Sequence, residues 1–524
     1  MLRKIRLTLA TLFFALITLL FLDFTETIHV WFGWLAKIQF LPALLALNVG
    51  IVVALLLLTF VFGRVYCSVI CPLGVFQDVV SWISGQRKKK NMRFSYSPAL
   101  VWLRYGVLVL FVVMLVAGIH SVVALLAPYS AYGRIANNLF APIYLWGNNL
   151  LAYFAERADS YAFYTVDVWV KSLSTFAVAV LTFVVVAVLA WRNGRTYCNT
   201  ICPVGTVLGF VARFSLFRPV IDTEKCKNCN LCARKCKASC INIKEHTIDY
   251  SRCVACMDCL DNCKHGALHY QYAYGKKEAE PSASRRGFFT AVGVVAATAA
   301  LNAQEKRKKQ QPNLPQYQKN QTKRADTRAE LPTDKSKVEQ KVDGGLADIE
   351  PKLAPERLTP LTPPGSLGIG NFAQHCTACQ LCVSVCPNGV LRPSTKLENF
   401  MQPEMSYERG YCRPECVKCS EVCPTGAIKL ITRADKSAIQ IGHAVTIHKN
   451  CIPLTDGVEC GNCERHCPTK AIKMIPIDKN DPKSLKKPIV NEEKCIGCGA
   501  CENLCPARPY SAIYVEGHER HREI

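Results

Sequence analysis

Arg64-Val65-Tyr66-Cys67-Ser68-Val69-Ile70-Cys71-Pro72-Leu73-Gly74 recurs as Arg195-Thr196-Tyr197-Cys198-Asn199-Thr200-Ile201-Cys202-Pro203-Val204-Gly205. Each copy follows a long apolar run, so the chain holds an internal repeat of two hydrophobic hairpins, each closed by the same phrase. A CxxxC spacing sets two sulfurs one helical turn apart. Two copies therefore predict four thiols, Cys67, Cys71, Cys198 and Cys202, gathered at one depth. Packing thiols would account for one copy better than for two matched ones. A shared metal or a redox-active pair is expected, and spacing alone leaves open which.

Working outward, residues 7–22, 41–62, 99–119 and 172–191 are continuously apolar, each near the ~20 residues that cross ~30 Å of hydrocarbon. They predict four membrane helices in a domain spanning residues 1–220. The first run is kept as a helix and not a cleaved signal, because Asp23-Phe24-Thr25-Glu26 follows it in place of a small-residue cleavage site. The chain carries a formal charge of +23 over 524 residues, half of them hydrophobic. Its basic clusters (Arg3-Lys4-Arg6, Arg87 to Lys90, Arg192 to Arg195) border the apolar runs, as bilayer orientation demands. Nucleic acid is therefore not expected as a partner. The clusters alternate so as to lie on the cytoplasmic side, which sends the loop 120–171 outside. Its Tyr129, Tyr132, Phe140, Tyr144 and Trp146 are expected along the interface. Arg64, Asp78, His120 and Arg195 lie near helix ends, where ionisable groups mark function or anchor the interface.

The chain holds 29 cysteines. Most fall in CxxCxxCxxxC groups, which is iron–sulfur spacing and not a disulfide framework, and no CxxCH occurs for attached haem. Residues 221–275 contain Cys226-Cys229-Cys232-Cys236 and Cys253-Cys256-Cys259-Cys263. In a two-cluster ferredoxin the distant fourth cysteine completes the other cluster. Cys226, Cys229, Cys232 and Cys263 are thus expected to hold one [4Fe-4S] cluster, and Cys253, Cys256, Cys259 and Cys236 the other. Lys237 and Lys264 replace the usual proline. Cys240 competes with Cys236 for the fourth place, and spacing favours Cys236.

Ser284-Arg285-Arg286-Gly287-Phe288-Phe289 and the Ala-rich run 290–300 then resemble a twin-arginine export signal, giving a fifth, signal-like helix over 284–301. Residues 302–370 read as a disordered tether, with a reach of roughly 45 Å. Residues 371–524 hold four more groups: Cys376-Cys379-Cys382-Cys386, Cys412-Cys416-Cys419-Cys423, Cys451-Cys460-Cys463-Cys467 and Cys495-Cys498-Cys501-Cys505, each followed by proline. They predict four cubanes in an α+β ferredoxin-like domain, with short strands at Gly426–Ile428 and Lys470–Ile472. The fold class expected is a membrane α-helical bundle, a two-cluster ferredoxin domain and a four-cluster ferredoxin-like domain, with six [4Fe-4S] clusters in all.

Residues 1–275 resemble the NapH family, membrane quinol dehydrogenase components linked to periplasmic nitrate reductase. Residues 284–524, with the twin-arginine start and Cys-Ile-Gly-Cys-Gly-Ala-Cys near the end, resemble the NapG family of exported ferredoxin-type partners. The resemblance implies a fusion of the two in a bacterial inner membrane, multi-pass, with its C-terminal domain periplasmic. It further implies quinol as substrate, the quinone pool as partner, and a periplasmic molybdenum reductase or its electron-transfer subunit as acceptor, nitrate being the favoured pathway. The rival reading is an electron-donating assembly or maturation factor for a respiratory enzyme. One difficulty arises: two clusters lie on one face and four on the other, separated by ~30 Å of hydrocarbon, too far for direct transfer.

Overall fold

The computed structural model describes residues 1–23, 27–87, 94–160, 162–274, 351–478 and 480–524. Met1–Ala273 and Glu350–Ile524 form one compact unit. The Ser284–Phe289 motif, the apolar run after it and most of the tether lie outside the described residues.

The tether ends earlier than its composition predicts, because residues 351–370 pack into the C-terminal module. Lys352 Nζ donates to the carbonyls of Glu502, Asn503 and Cys505 at 2.6, 2.7 and 2.8 Å. These cluster about the C-terminus of helix Ala500–Leu504, where carbonyls have no partner within the helix. Arg357 Nη2 then meets buried Glu502 at 2.5 Å, and Leu361 joins the main core.

Helices α1 (Leu2–Leu22) and α6 (Leu173–Asn193) are long and apolar enough to cross a membrane. The other two expected spans are not. The run 41–62 breaks into Phe40–Leu45 and α2 (Val49–Phe62), because Leu47 adopts a left-handed conformation and the Asn48 side chain caps α2 by accepting from Ile51 N. At 14 residues α2 is about 21 Å long. Helix α4 (Val101–Ala117) stops at Gly118, which is left-handed. The outward faces are apolar all the same, with Val109, Val113 and Val116 on α4 and Leu181, Val184 and Val188 on α6 exposed. Between α2 and α4 runs α3 (Pro72–Arg87).

The segment 120–171 is largely helical and much of it is interior. Tyr129 and Tyr132, expected at the interface, sit fully buried on α5 (Pro128–Ile135). Phe21 of α1 packs against both rings, whereas Tyr144 and Trp146 remain exposed. Helix α7 (Pro203–Ala212) follows the second repeat.

The C-terminal module combines short helices with two-stranded antiparallel sheets. The predicted strand at Gly426–Ile428 does not form, and the one near Lys470 begins at Ile472. The longest pair joins β1 (Ile439–Thr446) to β2 (Ile513–Glu523). Across it His443 Nδ1 lies 3.0 Å from His518 Nε2, and His521 Nε2 lies 3.0 Å from Thr362 Oγ1. Burial lowers all three imidazoles, His518 and His521 to about 4. The unfolded chain takes up protons near 6.5, where the folded sheet does not. Their contribution to stability is therefore complete above that pH and is lost as pH falls towards 4. Thermal melts of the full chain should show a lower Tm at pH 5 than at pH 7.5, and a flat profile would refute this.

Candidate metal centres

Three small pockets are each lined by four cysteines. They take Cys226, Cys229, Cys232 with Cys263; Cys451, Cys460, Cys463 with Cys505; and Cys412, Cys416, Cys419 with Cys386. In every case three thiols come from one motif and the fourth from its partner. The remaining thiols follow the same exchange. Cys236 lies within electrostatic reach of Cys256 and Cys259, Cys423 of Cys376, Cys379 and Cys382, and Cys467 of Cys495 and Cys498. The first and second C-terminal motifs thus pair, as do the third and fourth, a pairing the spacing left unread.

The backbone shows why the regular spacing winds this way. In all four CxxCxxC loops of regular spacing the second residue after the first cysteine and the first after the second are left-handed: Asn228 and Asn230, Ala255 and Met257, Ala378 and Gln380, Gly497 and Gly499. Such turns aim successive N–H groups into a concavity. Ala378 N donates to Cys376 Sγ at 3.5 Å. Four of the six fourth cysteines, Cys263, Cys423, Cys467 and Cys505, receive Ala267 N at 3.3 Å, Ile428 N at 3.4 Å, Ala471 N at 3.2 Å and Ala512 N at 3.3 Å. Among the described residues no three His, Cys, Asp or Glu side chains converge on a point suited to one ion. Thiols spread round a void and supplied with N–H donors fit a multi-iron cluster better than zinc.

Cys240 is buried against the Cys236/Cys253 side of this exchange. Its Sγ lies 3.5 Å from Cys236 Sγ, and its thiol also bonds Cys253. Those bonds push the Cys240 pKa well up, while Cys236 is lowered to about 7 and Cys253 is lowered too, chiefly by the Cys240 thiol. Lys237, standing where proline was expected, bridges elements instead. Its Nζ meets Asp258 at 2.9 Å and Asp78 at 3.6 Å, and its carbonyl accepts from Arg195 N at 2.9 Å.

The repeated phrase folds into a pseudo-symmetric knot. Cys67 sits in a π-helical turn Tyr66–Ile70 and Cys198 in the short helix Thr196–Thr200, with Cys71 and Cys202 at the starts of α3 and α7. All four thiols are buried in one core. Cys202 lies within reach of Cys198, Cys71 and Cys67, and Cys71 of Cys198 and Cys67. The arginines cross over: Arg64 Nη2 donates to Cys198 O at 3.1 Å, and Arg195 Nη1 to Cys67 O at 2.7 Å. The glycines make room for them. A Cβ on Gly74 would lie 2.7 Å from Arg195 Nη1, and one on Gly205 would lie 2.7 Å from Arg64 Nη2. Arg64, Asp78, His120 and Arg195 are all buried, so none is a surface anchor. Sequence reasoning missed Gln77, whose Nε2 lies 3.1 Å from Cys198 Sγ, and the buried Arg6, Arg104 and Arg134. Arg104, a lone charge inside an apolar run, was a readable signal.

Ferredoxin segments dock at both ends of this core. At the N-terminus of α1, Arg3 Nε pairs with Asp258 at 2.8 Å, and Arg104 Nη2 donates to Ser251 O at 2.9 Å. Near its other end, Gly133 of α5 touches the loop at Cys379, where a Cβ would strike Cys379 O and the Phe21 ring. Gln380 Oε1 accepts from Asn137 and Asn138 at 3.2 and 2.9 Å, and Lys171 Nζ donates to Val383 O at 3.2 Å.

The family described as "4Fe-4S binding domain" matches residues 44–91 and 175–221, and the "4Fe-4S dicluster domain" matches residues 375–445 and 458–508. Among curated relatives, the protein MJ0749 of Methanocaldococcus jannaschii is 26% identical over 41% of this chain and 67% of its own length. MJ0750 of the same organism is 25% identical over 53% and 97%. The ferredoxin-type protein NapH of Haemophilus influenzae is 27% identical over 43% and 67%. No solved structure matches significantly. The chain carries 4Fe-4S binding domains and is similar to iron–sulfur electron-transport proteins.

Proposed function

We propose that this chain is a membrane-bound electron carrier that takes electrons from quinol, passes them through six [4Fe-4S] centres and delivers them to a periplasmic reductase, with nitrate reductase the favoured acceptor. In this reading the NapH-like half spans a bacterial inner membrane in several passes and the four-cluster domain of the NapG-like half, over 371–524, lies in the periplasm. The clusters supply one-electron steps to a two-electron donor. The observation that carries the reading is the exchange of fourth cysteines through all six quartets, which sets them in adjacent pairs. The chain's own part is to hold each thiolate, to supply the N–H donors, and to dock one ferredoxin segment at each end of α1.

The test is anaerobic purification, iron and labile-sulfide analysis, and EPR during titration with a quinol analogue. At least about 24 irons per chain, four for each of six cubanes, and reduction by quinol are expected. Filled clusters that quinol leaves oxidised would favour a maturation factor.

A further inference from the structure

We propose that Cys67, Cys71, Cys198 and Cys202 together hold one additional iron–sulfur cluster inside the membrane domain, between the Cys236/Cys253/Cys256/Cys259 and Cys376/Cys379/Cys382/Cys423 quartets. Each stretch matching the 4Fe-4S binding domain contains only two cysteines, half a ligand set. The pseudo-symmetric knot brings the halves together, and a single shared site results.

Charge points the same way. Four thiolates around an oxidised iron–sulfur core carry a net charge of about −2. Arg195 is met by Asp78, but Arg64 and Arg134 are fully buried, and among the described residues neither is paired with a carboxylate. Arg64 donates to neutral groups, Asn199 Oδ1 at 2.8 Å, Ser251 O at 3.1 Å and Cys198 O, and lies 3.8 Å from Cys67 Sγ. Its Nε, and Nε and Nη2 of Arg134, have no hydrogen-bond partner. Buried cations without an anion are costly, and an anionic cluster at the four thiols supplies what Arg64, 3.8 Å from Cys67 Sγ, lacks. The thiols form no single-ion site, a property they share with the six ferredoxin quartets.

The site also closes the gap that the bilayer opens. Towards one end Arg195 N binds the carbonyl of Lys237, next to Cys236, and Arg64 binds Ser251 O, two residues from Cys253. Towards the other, Tyr197 donates to Leu126 O at 3.3 Å, and Arg134 lies within electrostatic reach of both Tyr197 and Cys379. An electron from the Cys236 side reduces the central cluster by one, and its transfer to the Cys379 side restores it. The direction can equally run the other way. The relay role rests on the proposed electron-transfer function; the occupancy of the site does not.

The experiment compares iron and labile sulfide in the full wild-type chain and in Cys67→Ser/Cys198→Ser. The wild type is expected to exceed the six-cubane total of about 24 irons by roughly two to four, with matching sulfide, and the variant to lose that excess alone. A wild type with no excess, or a variant-sensitive metal that proves to be zinc or copper, overturns the proposal. If the variant does not accumulate, the wild-type count with its Mössbauer spectrum decides. Excess iron in a protein that quinol does not reduce would sink the functional reading and leave this site standing.

Discussion

Asp78→Asn is expected to destabilise the chain by about 3–5 kcal/mol, the range for breaking a buried ion pair from one side. The carboxylate is held by several cations: Arg6 of α1 binds Oδ2, Arg195 meets Oδ1 through Nε and Oδ2 through Nη2, both at 2.8 Å, and Lys237 stands 3.6 Å from Oδ1. Its partners come from three separate parts of the chain, the first helix, the second repeat and the N-terminal ferredoxin segment. The neutral amide keeps the shape and loses the charge, so Arg6 and Arg195 stay in the interior uncompensated, while Lys237 keeps Asp258 at 2.9 Å. Against a typical total of about 5–15 kcal/mol, that is a large share of the margin. The readout is thermal loss of cluster absorbance in detergent, with Asp78→Asn/Arg6→Met as the second arm. Removing one cation together with the anion should recover part of the loss. An Asp78→Asn chain that melts with the wild type would show that the knot contributes nothing.

That knot also shows where sequence stops being sufficient. The cysteine groups were legible because CxxCxxC fixes a local winding, left-handed at two set positions, and local winding is written in spacing. The repeat around Cys67 and Cys198 was legible as a repeat. Its arginines looked like helix-end charges, however, because nothing local says that Arg64 crosses to Cys198 and Arg195 to Cys67. At Gly74 and Gly205 a Cβ would strike the carbonyl of Cys67 or Cys198 in its own repeat as well as the crossing arginine, and the second of these contacts is not written in local sequence. Hydropathy overran the helix break at Leu47–Asn48, since a window of apolar residues averages over one asparagine. Composition likewise gave 351–370 to the tether, although Lys352 and Arg357 bind carbonyls and a carboxylate supplied from 150 residues away or nearly so. Apart from the local cap at Asn48, the failure is a long-range partner that overrides a local signal.

Cys240 gives the second large effect, because it separates a ligand from a thiol that tunes one. Spacing favoured Cys236 as the fourth ligand, and its place within reach of Cys256 and Cys259 agrees. Metal ligands must be deprotonated, so with Cys236 bound to iron the Cys240 thiol, 3.5 Å away, is the one left with a proton to donate. Cys236→Ala/Cys240→Ala is therefore expected to lose about four irons, one whole cubane. Cys240→Ala alone should keep them. The single variant should nevertheless move that cluster's midpoint to a more negative potential, because hydrogen bonds to the sulfurs stabilise the more negative, reduced form. Iron analysis and an EPR-monitored redox titration separate the two roles. Loss of about four irons from Cys240→Ala alone would make Cys240 the ligand, and the exchange among Cys236, Cys253, Cys256 and Cys259 would then have to be redrawn.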